Sequence, residues 1–445
     1  MKRTLSVTDA IVIIVGIVAG AGIFRTPSLV ASNTGSADLF ILVWLLGGLI
    51  SLIGALCYAE LSTSFPNTGG DYHFLTRAFG RRFAFLFAWA RMSVIQTGSI
   101  AVLAYIVGDY LSQLYALGRY SPAIYAGSMV IALTMINILG VRSGTITQKI
   151  LIAVQFAGLF AIILAGLLIR PSETVLAEIA TETDARTVSL GLAMVFVLLT
   201  FGGWNEAGYI SAELRQGSKK MVRVLVVSIG AITGIYLLIN LAFLRVLGVE
   251  KMAASHAPAV DLMRATIGDM GVVLIGLLVA IATLTSANAT IFTGARTNYA
   301  LGRDFPEFSL LSRWDEKTSA PVNAFIVQGL IALLLIAVGA TTRDGFESMV
   351  EFTAPVFWFS FLATGIALFV LRRKEPDVPR PFRVPLYPLT PLLFCAVCAY
   401  LLYSSLAYTG VGAFVGVAVL AVGAIVLFFI NNQDTHVKQK GEKSV

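Results

Sequence analysis

Charged residues are scarce in this chain of 445 residues, of which 13% are charged and 57% are hydrophobic. A soluble domain usually carries about 25% charged residues, so a composition this apolar excludes an ordinary aqueous fold. Apolar stretches of about 20 residues recur along the whole length, and each can cross a hydrocarbon layer roughly 30 Å thick. The sequence therefore predicts an all-α membrane protein that contacts the lipid bilayer.

Cysteine and histidine are also rare, with three residues of each type. Cys57, Cys395 and Cys398 lie inside apolar stretches, where none is placed to form an external disulfide. The chain has no His-Glu-x-x-His, Gly-x-Ser-x-Gly or phosphate-loop motif, and no histidine pair inside an apolar stretch. These absences leave an intramembrane enzyme or a respiratory-complex subunit without reactive residues, and we expect no metal and no cofactor.

The net charge of +7 does not indicate a nucleic-acid partner, because the basic residues form short clusters between apolar runs. With the N-terminus in the cytoplasm, 23 of the 32 lysines and arginines lie on the inner side and 7 on the outer side. Arg25 and Arg91 lie within spans. This asymmetry predicts that both termini are cytoplasmic.

Twelve membrane spans are predicted from the apolar runs. They lie within residues 9–32, 38–62, 83–113, 122–140, 149–169, 188–212, 223–247, 271–302, 321–340, 346–371, 386–408 and 411–431. The segments between them are loops or short amphipathic helices, so residues 1–431 form a single transmembrane domain. Residues 432–445 are polar and are expected to form a disordered cytoplasmic tail.

Two spans carry glycines near the middle of the bilayer. The first span contains Gly16, Gly20 and Gly22, and the sixth contains Gly202 and Gly203. An opened helix in lipid exposes backbone groups that cost several kcal/mol unless protein or a cavity satisfies them. Free N–H groups suit a carboxylate and free carbonyls suit an ammonium. The alternative is that these glycines only permit close helix packing.

The positions of the two glycine-containing segments favour helix breaks over close helix packing. They fall in the first member of each of two sets of five spans, residues 9–170 and 188–372, with residues 386–431 supplying two further helices. An inverted repeat with a central binding site explains this correspondence.

Several ordered motifs resemble those of one transporter superfamily. They are Gly20-Ala-Gly-Ile-Phe24, Gly54-Ala-Leu-Cys-Tyr-Ala-Glu-Leu61, Gly69-Gly-Asp-Tyr72, Gly202-Gly-Trp-Asn205, Asn288 with Arg296, and Arg380-Pro-Phe-Arg-Val-Pro385. Together, and over nearly the whole chain, they resemble the amino acid-polyamine-organocation superfamily, most closely its L-type amino acid transporter branch. The resemblance implies the leucine-transporter fold, with two peripheral helices, and secondary active transport by alternating access.

The resemblance also implies a substrate site made from the two breaks. The N–H groups of Ala21, Gly22 and Ile23, next to Gly20, would hold the substrate carboxylate. Carbonyls near Val18, Leu199 and Phe201 would take its amine, and Trp204 and Asn205, beside Gly203, would line the pocket.

The chain departs from the branch at three of these positions. Ala21 stands where the branch commonly has serine, and Leu199 stands where it usually has an aromatic gate, so either Phe201 acts as the gate or the gate is looser. Gln155 replaces the usual lysine seven residues after Gln148, so the coupling scheme of the branch does not transfer directly.

Ionisable groups inside spans are candidates for coupling or gating. Glu206 and Arg91 lie at similar depth, and three alternatives stay open for Glu206: a structural ion pair with Arg91, a coupling-proton site, or contact with a cationic substrate. Arg25 and Glu351 either latch the outer gate or face an aqueous vestibule. Ser286, with Thr285, either coordinates sodium or is an ordinary helix hydroxyl.

The first choice of substrate is a neutral L-amino acid, with a cationic amino acid or polyamine second. Proton symport, sodium symport and exchange all stay open, and an ion channel is the alternative of a different class. The external segment between Tyr115 and Ser121 has no cysteine, so we expect no disulfide-linked heavy subunit. A stand-alone protein of a bacterial inner (plasma) membrane is expected.

Overall fold

A computed structural model describes residues 7–67, 70–139, 145–173, 175, 188–206, 219–316, 318, 320–342, 344–407 and 411–442. Within these ranges the chain is helical and contains no β-strand, only one isolated bridge between Asp315 and Ala320. The helices are α1 Val7–Val18, α2 Thr26–Thr34, α3 Ala37–Ser64, α4 Gly70–Phe79, α5 Arg81–Ala90, α6 Gln96–Leu114, α7 Ser121–Ile138, α8 Thr145–Leu168, α9 Leu190–Thr200, α10 Lys219–Val246, α11 Gly248–Ala254, α12 Pro258–Ile267, α13 Asp269–Asp304, α14 Val322–Gly339, α15 Gly345–Lys374, α16 Leu389–Ala407 and α17 Val411–Glu442.

The prediction of an all-α membrane protein is confirmed. Among the described residues, nine helices are long and apolar enough to cross a membrane, or ten if the bent pair α1 and α2 is one span. Two predicted spans, the fifth and the sixth, are represented by the shorter apolar helices Ala153–Leu168 and Leu190–Thr200. The exact count of twelve stays a prediction.

One boundary requires a correction. The polar tail expected to be disordered is helical as far as Glu442, because α17 continues beyond the apolar run. No proline interrupts the segment, and its glutamines and lysines are good helix formers.

The helices pack in pairs that place the interrupted ones at the centre. α2 packs on α9, α3 packs on α10, α6 packs on α13 and α7 packs on α14. α1 also packs on α10, and α8 packs on both α10 and α13. The last two helices, α16 and α17, pack on the outside of α15.

Polar side chains fix α13 to the helices around it. The Gln96 side chain donates to the Thr290 carbonyl at 2.7 Å, and Asn137 donates to the Asn288 side chain at 2.7 Å. Gln328 donates to the Ile291 carbonyl at 3.0 Å. Side-chain hydrogen bonds between helices are a common means of association where lipid offers no hydrophobic driving force. Asn288, one of the recognised motif residues, therefore links α13 to α7.

A buried carboxylate joins α3 to the end of α15. Glu60 is 1% exposed and accepts two bonds from Arg372, at 2.7 and 2.5 Å, and one from the Val384 N–H at 2.7 Å. Arg380 lies 3.6 Å from the same carboxylate. Two of the sequence motifs, around Glu60 and around Arg380, are thus halves of one ionic cluster at the end of the bundle that is rich in basic residues, hereafter the basic end.

We predict that Glu60→Gln strongly destabilises the protein. Removing one charge of a buried ion pair costs about 3–5 kcal/mol, because the partner stays buried and unpaired. The matched control is Glu375→Gln, whose pair with the partly exposed Arg77 should contribute about 0–1 kcal/mol. Unfolding free energies measured in one detergent test this, and equal losses in the two variants would contradict the assigned role of Glu60.

Candidate functional site

The first helix is interrupted after Val18. Gly20 is extended, with ψ −175°, and a short 3-10 turn, Ala21–Phe24, precedes α2. The segment Ile14–Phe24 then meets α2 at a bend of 61°. The first N–H groups of a helical turn lack an intrahelical acceptor, and no side chain caps this turn at Gly20. The N–H groups of Ala21 and Gly22 therefore lie outside the helical hydrogen-bond ladder, whereas the Ile23 N–H faces the Gly20 carbonyl as the first donor of the 3-10 turn.

The sixth predicted span is interrupted as well. α9 ends at Thr200, and a turn leads to a single 3-10 turn, Trp204–Glu206. Gly203 has a φ of +108°, a conformation that side-chain-bearing residues rarely adopt. An added Cβ at Gly202 would lie 2.8 Å from the Leu199 carbonyl oxygen. Both glycines are thus required by the geometry of this break.

The two breaks lie against each other. A Cβ at Gly22 would lie 3.4 Å from the Thr200 side chain. The Tyr236 hydroxyl, on α10, lies 2.7 Å from the Val18 carbonyl and 3.1 Å from the Thr200 carbonyl. Its ring packs edge-on against Phe201 and Trp44 at centroid distances of 4.9 and 5.7 Å. Tyr236 therefore bridges the carbonyl ends of both interrupted helices.

Two further side chains hold the first break open. The Gln155 amide, on α8, donates to the Ala19 carbonyl, and the Tyr110 hydroxyl, on α6, donates to the Phe24 carbonyl at 2.8 Å. With Tyr236 on Val18, three carbonyls freed by the break have partners from three different helices. This arrangement satisfies the acceptors that lipid cannot and leaves N–H donors for a ligand.

The aromatic residues of the second break are buried in the protein wall. Phe201 is fully buried, and Trp204 is 5% exposed. The Trp204 ring packs against Tyr58 and Phe361 at 5.1 and 5.4 Å, on the side of α3 and α15. The Trp204 ring thus fills a space between helices beside Gly202, and its place in the wall of a substrate pocket stays a prediction. Gly54 permits this packing, since a Cβ there would lie 2.7 Å from the indole.

Leu199 and Asn205, the remaining predicted pocket residues, are both partly buried beside this break.

Arg25 forms a buried ionic cluster at the end of the bundle that carries α11 and α12, hereafter the α11–α12 end. It is 2% exposed and pairs with Asp344, and its Nε lies 3.5 Å from Asp109. It donates to the Ser255 carbonyl at 3.1 Å and lies 3.2 Å from His256 Nδ1. The cluster joins the first break to α6, α15 and the segment between α11 and α12.

The predicted latch between Arg25 and Glu351 is thereby corrected. The ion pairs of Arg25 are with Asp109 and Asp344, whereas Glu351 lies beside Gly412 of α17. The burial of Arg25 also contradicts the alternative of an aqueous vestibule around it. Asp109 is, like Glu206 and Arg91, an ionisable residue inside a predicted span. The same criterion therefore identifies it as a functional candidate from the sequence.

The structure says less about the other candidates for coupling or gating. Arg91 is 7% exposed and begins a π-helical stretch, Arg91–Ile95, between α5 and α6. The Glu206 side chain lies outside the described residues, so its pairing with Arg91 is a prediction. The Ser286 and Thr285 hydroxyls donate to carbonyls four residues earlier, at 3.3 and 2.9 Å. In the described ranges no group of three His, Cys, Asp or Glu side chains could hold a metal.

The sequence profile of a family described as amino acid permease matches residues 5–439. The chain belongs to the amino acid permease family. Among its relatives is the b(0,+)-type amino acid transporter 1 of Mus musculus, 28% identical over 97% of this chain and 88% of the mouse protein. The large neutral amino acids transporter small subunit 2 of Homo sapiens is 30% identical over 96% of this permease and 80% of the human protein.

We predict that Tyr236→Phe destabilises the permease by about 1–3 kcal/mol, since the single O–H donor shared by two buried carbonyls is lost. The matched control is Tyr125→Phe, whose hydroxyl donates to the Tyr115 carbonyl at an exposed site. That change should stay within about 0.5 kcal/mol. Thermal unfolding of both variants in the same detergent provides the comparison, and indistinguishable stabilities would remove the bridging role of Tyr236.

We predict that the stability of the fold depends on pH through the Asp344 carboxylate. Burial alone would raise its pKa, but Arg25, His256 and the Glu347 N–H outweigh burial and hold the pKa below its usual value. A depressed pKa stabilises the fold above the ordinary aspartate pKa, and this contribution is lost as the pH falls through the folded value.

The stability difference between the wild type and Asp344→Asn should therefore be constant above about pH 4 and shrink at lower pH. Melting temperatures of both proteins between neutral and acidic pH measure it. A difference that grows on acidification would contradict the ionised Asp344.

Proposed function

We propose that this permease carries neutral L-amino acids across the membrane as a secondary transporter that works by alternating access. The observation that carries the proposal is the pairing of two interrupted helices around Gly22 and Thr200, with N–H groups of the first break left outside the helical ladder. An occludable site between two breaks describes a carrier better than the continuous pore that an ion channel needs.

In this proposal the N–H groups of Ala21, Gly22 and Ile23 bind the substrate carboxylate. The start of the 3-10 turn also carries the positive end of the local backbone dipole, which favours a negative group. Gly22 lets the ligand approach the backbone. Because Ala21 has no hydroxyl, the backbone donors carry this contact by themselves.

The substrate ammonium binds at carbonyls of the same two breaks. The Val18 carbonyl accepts from the Tyr236 hydroxyl and from the Gly20 N–H at 2.6 Å. The ammonium therefore takes the place of the Tyr236 proton, which the Thr200 carbonyl at 3.1 Å then accepts. The Leu199 and Phe201 carbonyls complete this side of the site. Tyr236 then responds to the ligand, since it shares an acceptor with the bound ammonium.

A neutral side chain fits the surroundings best. Val18, Ile23, Leu199 and Phe201 bring apolar side chains to the two breaks. A cationic amino acid or polyamine is the second candidate, with Glu206 as its acidic partner. The names of both relatives, b(0,+)-type and large neutral amino acids transporter, are those of amino acid carriers.

The packing supports two inverted repeats, residues 9–170 and 188–372, with residues 386–431 peripheral. The first four spans pack on the sixth to ninth in order, as a two-fold axis between repeats requires. We place the basic end, with Arg372, Arg373 and Lys374, in the cytoplasm of a bacterial cell. The α11–α12 end then faces outwards, and the Arg25 cluster is the outer seal.

We further propose that the permease works without a disulfide-linked heavy subunit. The human relative is named a small subunit, which implies assembly for that protein. In this chain the segment between Tyr115 and Ser121 has no cysteine. All three cysteines are unpaired and lie within α3 and α16.

Uptake by reconstituted vesicles tests the function. A labelled panel of neutral, cationic and acidic amino acids, with and without pH, sodium and trans-substrate gradients, should show saturable uptake of neutral amino acids. Gly22→Val should reduce this uptake by at least about a hundredfold, because a displaced binding group carries a penalty of that order. The control is Gly230→Val on α10, where an added Cβ meets nothing within 4 Å. Non-saturable flux, or equal uptake by both variants, would contradict the proposal.

The coupling ion is tested separately at Glu206. If Glu206 carries the coupling proton, Glu206→Gln should abolish uptake driven by a pH gradient and spare exchange of internal for external amino acid. Unchanged gradient-driven uptake would leave Glu206 with a structural or substrate-contacting role.

A further inference from the structure

A cavity lies at the α11–α12 end, apart from the two breaks. It has a volume of about 290 Å³, is open on one side, and is lined by α6, the loop to α7 and the start of α7, the end of α14, the start of α15, and His256. Pockets for small molecules measure about 300–1,000 Å³, so the cavity suits a ligand at the small end of that range. Arg25 does not line it but lies behind two carboxylates that do, Asp109 and Asp344.

The charges around Arg25 are unequal. One guanidinium faces the carboxyl groups of both Asp109 and Asp344, so a single cation is shared between two acidic side chains. Asp344 is well supplied with donors, since it also accepts from the Glu347 N–H at 3.0 Å. Asp109 is different, because its buried Oδ2 has no hydrogen bond to any described residue and only the 3.5 Å ion pair with Arg25. That oxygen is buried against Arg25, but the Asp109 side chain is 13% exposed and lines the cavity, so a cationic ligand meets the rest of its carboxyl group.

A positive group stands elsewhere on the cavity wall. Arg119 lines the cavity, and its guanidinium lies 5.6 Å from the centre of the Tyr120 ring. Arg119 is exposed, so its fork of donors is available to a carboxylate, which it can bind in bidentate fashion. The cavity therefore presents carboxylate acceptors and a guanidinium donor to the same ligand.

We propose that this cavity is a second binding site, for the zwitterionic head of a free amino acid. The ammonium binds Asp109, with Asp344 contributing negative potential, and the carboxylate binds Arg119. A divalent metal is a poor alternative, because the described residues offer no group of three metal-ligating side chains here. A ligand ammonium on Asp109 also competes with Arg25, so occupancy of the cavity weakens the cluster that joins α2, α6 and α15.

The site is tested by protection of an introduced cysteine, with the full-length protein in lipid nanodiscs, where both faces are accessible. In a background with Cys57, Cys395 and Cys398 replaced by alanine, Gln113→Cys places a thiol at the exposed cavity wall. Thr341→Cys is the matched control, since Thr341 is exposed beside the cavity but does not line it. The probes are L-alanine, ethylamine and propionate, which carry both charges, the ammonium alone and the carboxylate alone.

L-Alanine should slow maleimide labelling of the Gln113→Cys variant in a saturable manner and leave labelling of the Thr341→Cys variant unaffected. Arg119→Gln should raise the half-protecting concentration of L-alanine about tenfold, as expected for one lost charged hydrogen-bond pair, and leave that of ethylamine unchanged. Asp109→Asn should weaken protection by both. Absence of protection, or equal protection of the two introduced thiols, would overturn the proposal.

The Gly22→Val substitution, added to the Gln113→Cys variant, distinguishes binding in this cavity from binding between the two breaks. If the cavity binds amino acid itself, L-alanine still protects the introduced thiol when the site between the breaks is blocked. If protection disappears with Gly22→Val, it came from a conformational change driven by the central site, and the inference fails. Failure of vesicle uptake with protection intact would overturn the proposed transport function and leave the second site standing.

Discussion

Backbone polar groups freed inside a membrane must find partners within the protein, and this constraint organises the molecule. The chain interrupts its first helix after Val18 and must then satisfy carbonyls in a region where lipid offers no donor. It does so with Tyr236, Gln155 and Tyr110, each from a different helix. The packing of α6, α8 and α10 around the break is a consequence of that requirement.

The hydrogen bonds made by the backbone groups of the first break determine which ligand groups it can bind. Side-chain donors serve the carbonyls of the first break, whereas the N–H groups that open the 3-10 turn remain for a ligand. Tyr236 contacts carbonyls of both breaks, at Val18 and Thr200. A ligand that contacts either carbonyl therefore affects both interrupted helices. The Arg25 cluster, which is the proposed outer seal, joins the same first break to the α11–α12 end.

The sequence was most informative where the signal is local. Apolar runs located the spans, and Gly20, Gly22 and Gly203 marked the breaks, because glycine weakens a helix and their positions correspond in the two sets of spans. It was least informative about side chains that meet across the fold. Arg25 and Asp344 are separated by 319 residues, and a single tyrosine in an apolar run does not reveal that Tyr236 faces two carbonyls. The direction of the Trp204 ring likewise depends on the space left by Gly54, which only the tertiary packing defines.

The central claim is that the unpaired N–H groups of the first break grip a carboxylate. A cryo-EM structure of the protein with a bound neutral amino acid tests it most directly. The account predicts the ligand carboxylate within hydrogen-bond distance of the Ala21, Gly22 and Ile23 nitrogens, and its ammonium facing Val18 and the end of α9. A ligand bound elsewhere, with residues 7–34 forming one continuous hydrogen-bonded helix, would contradict it.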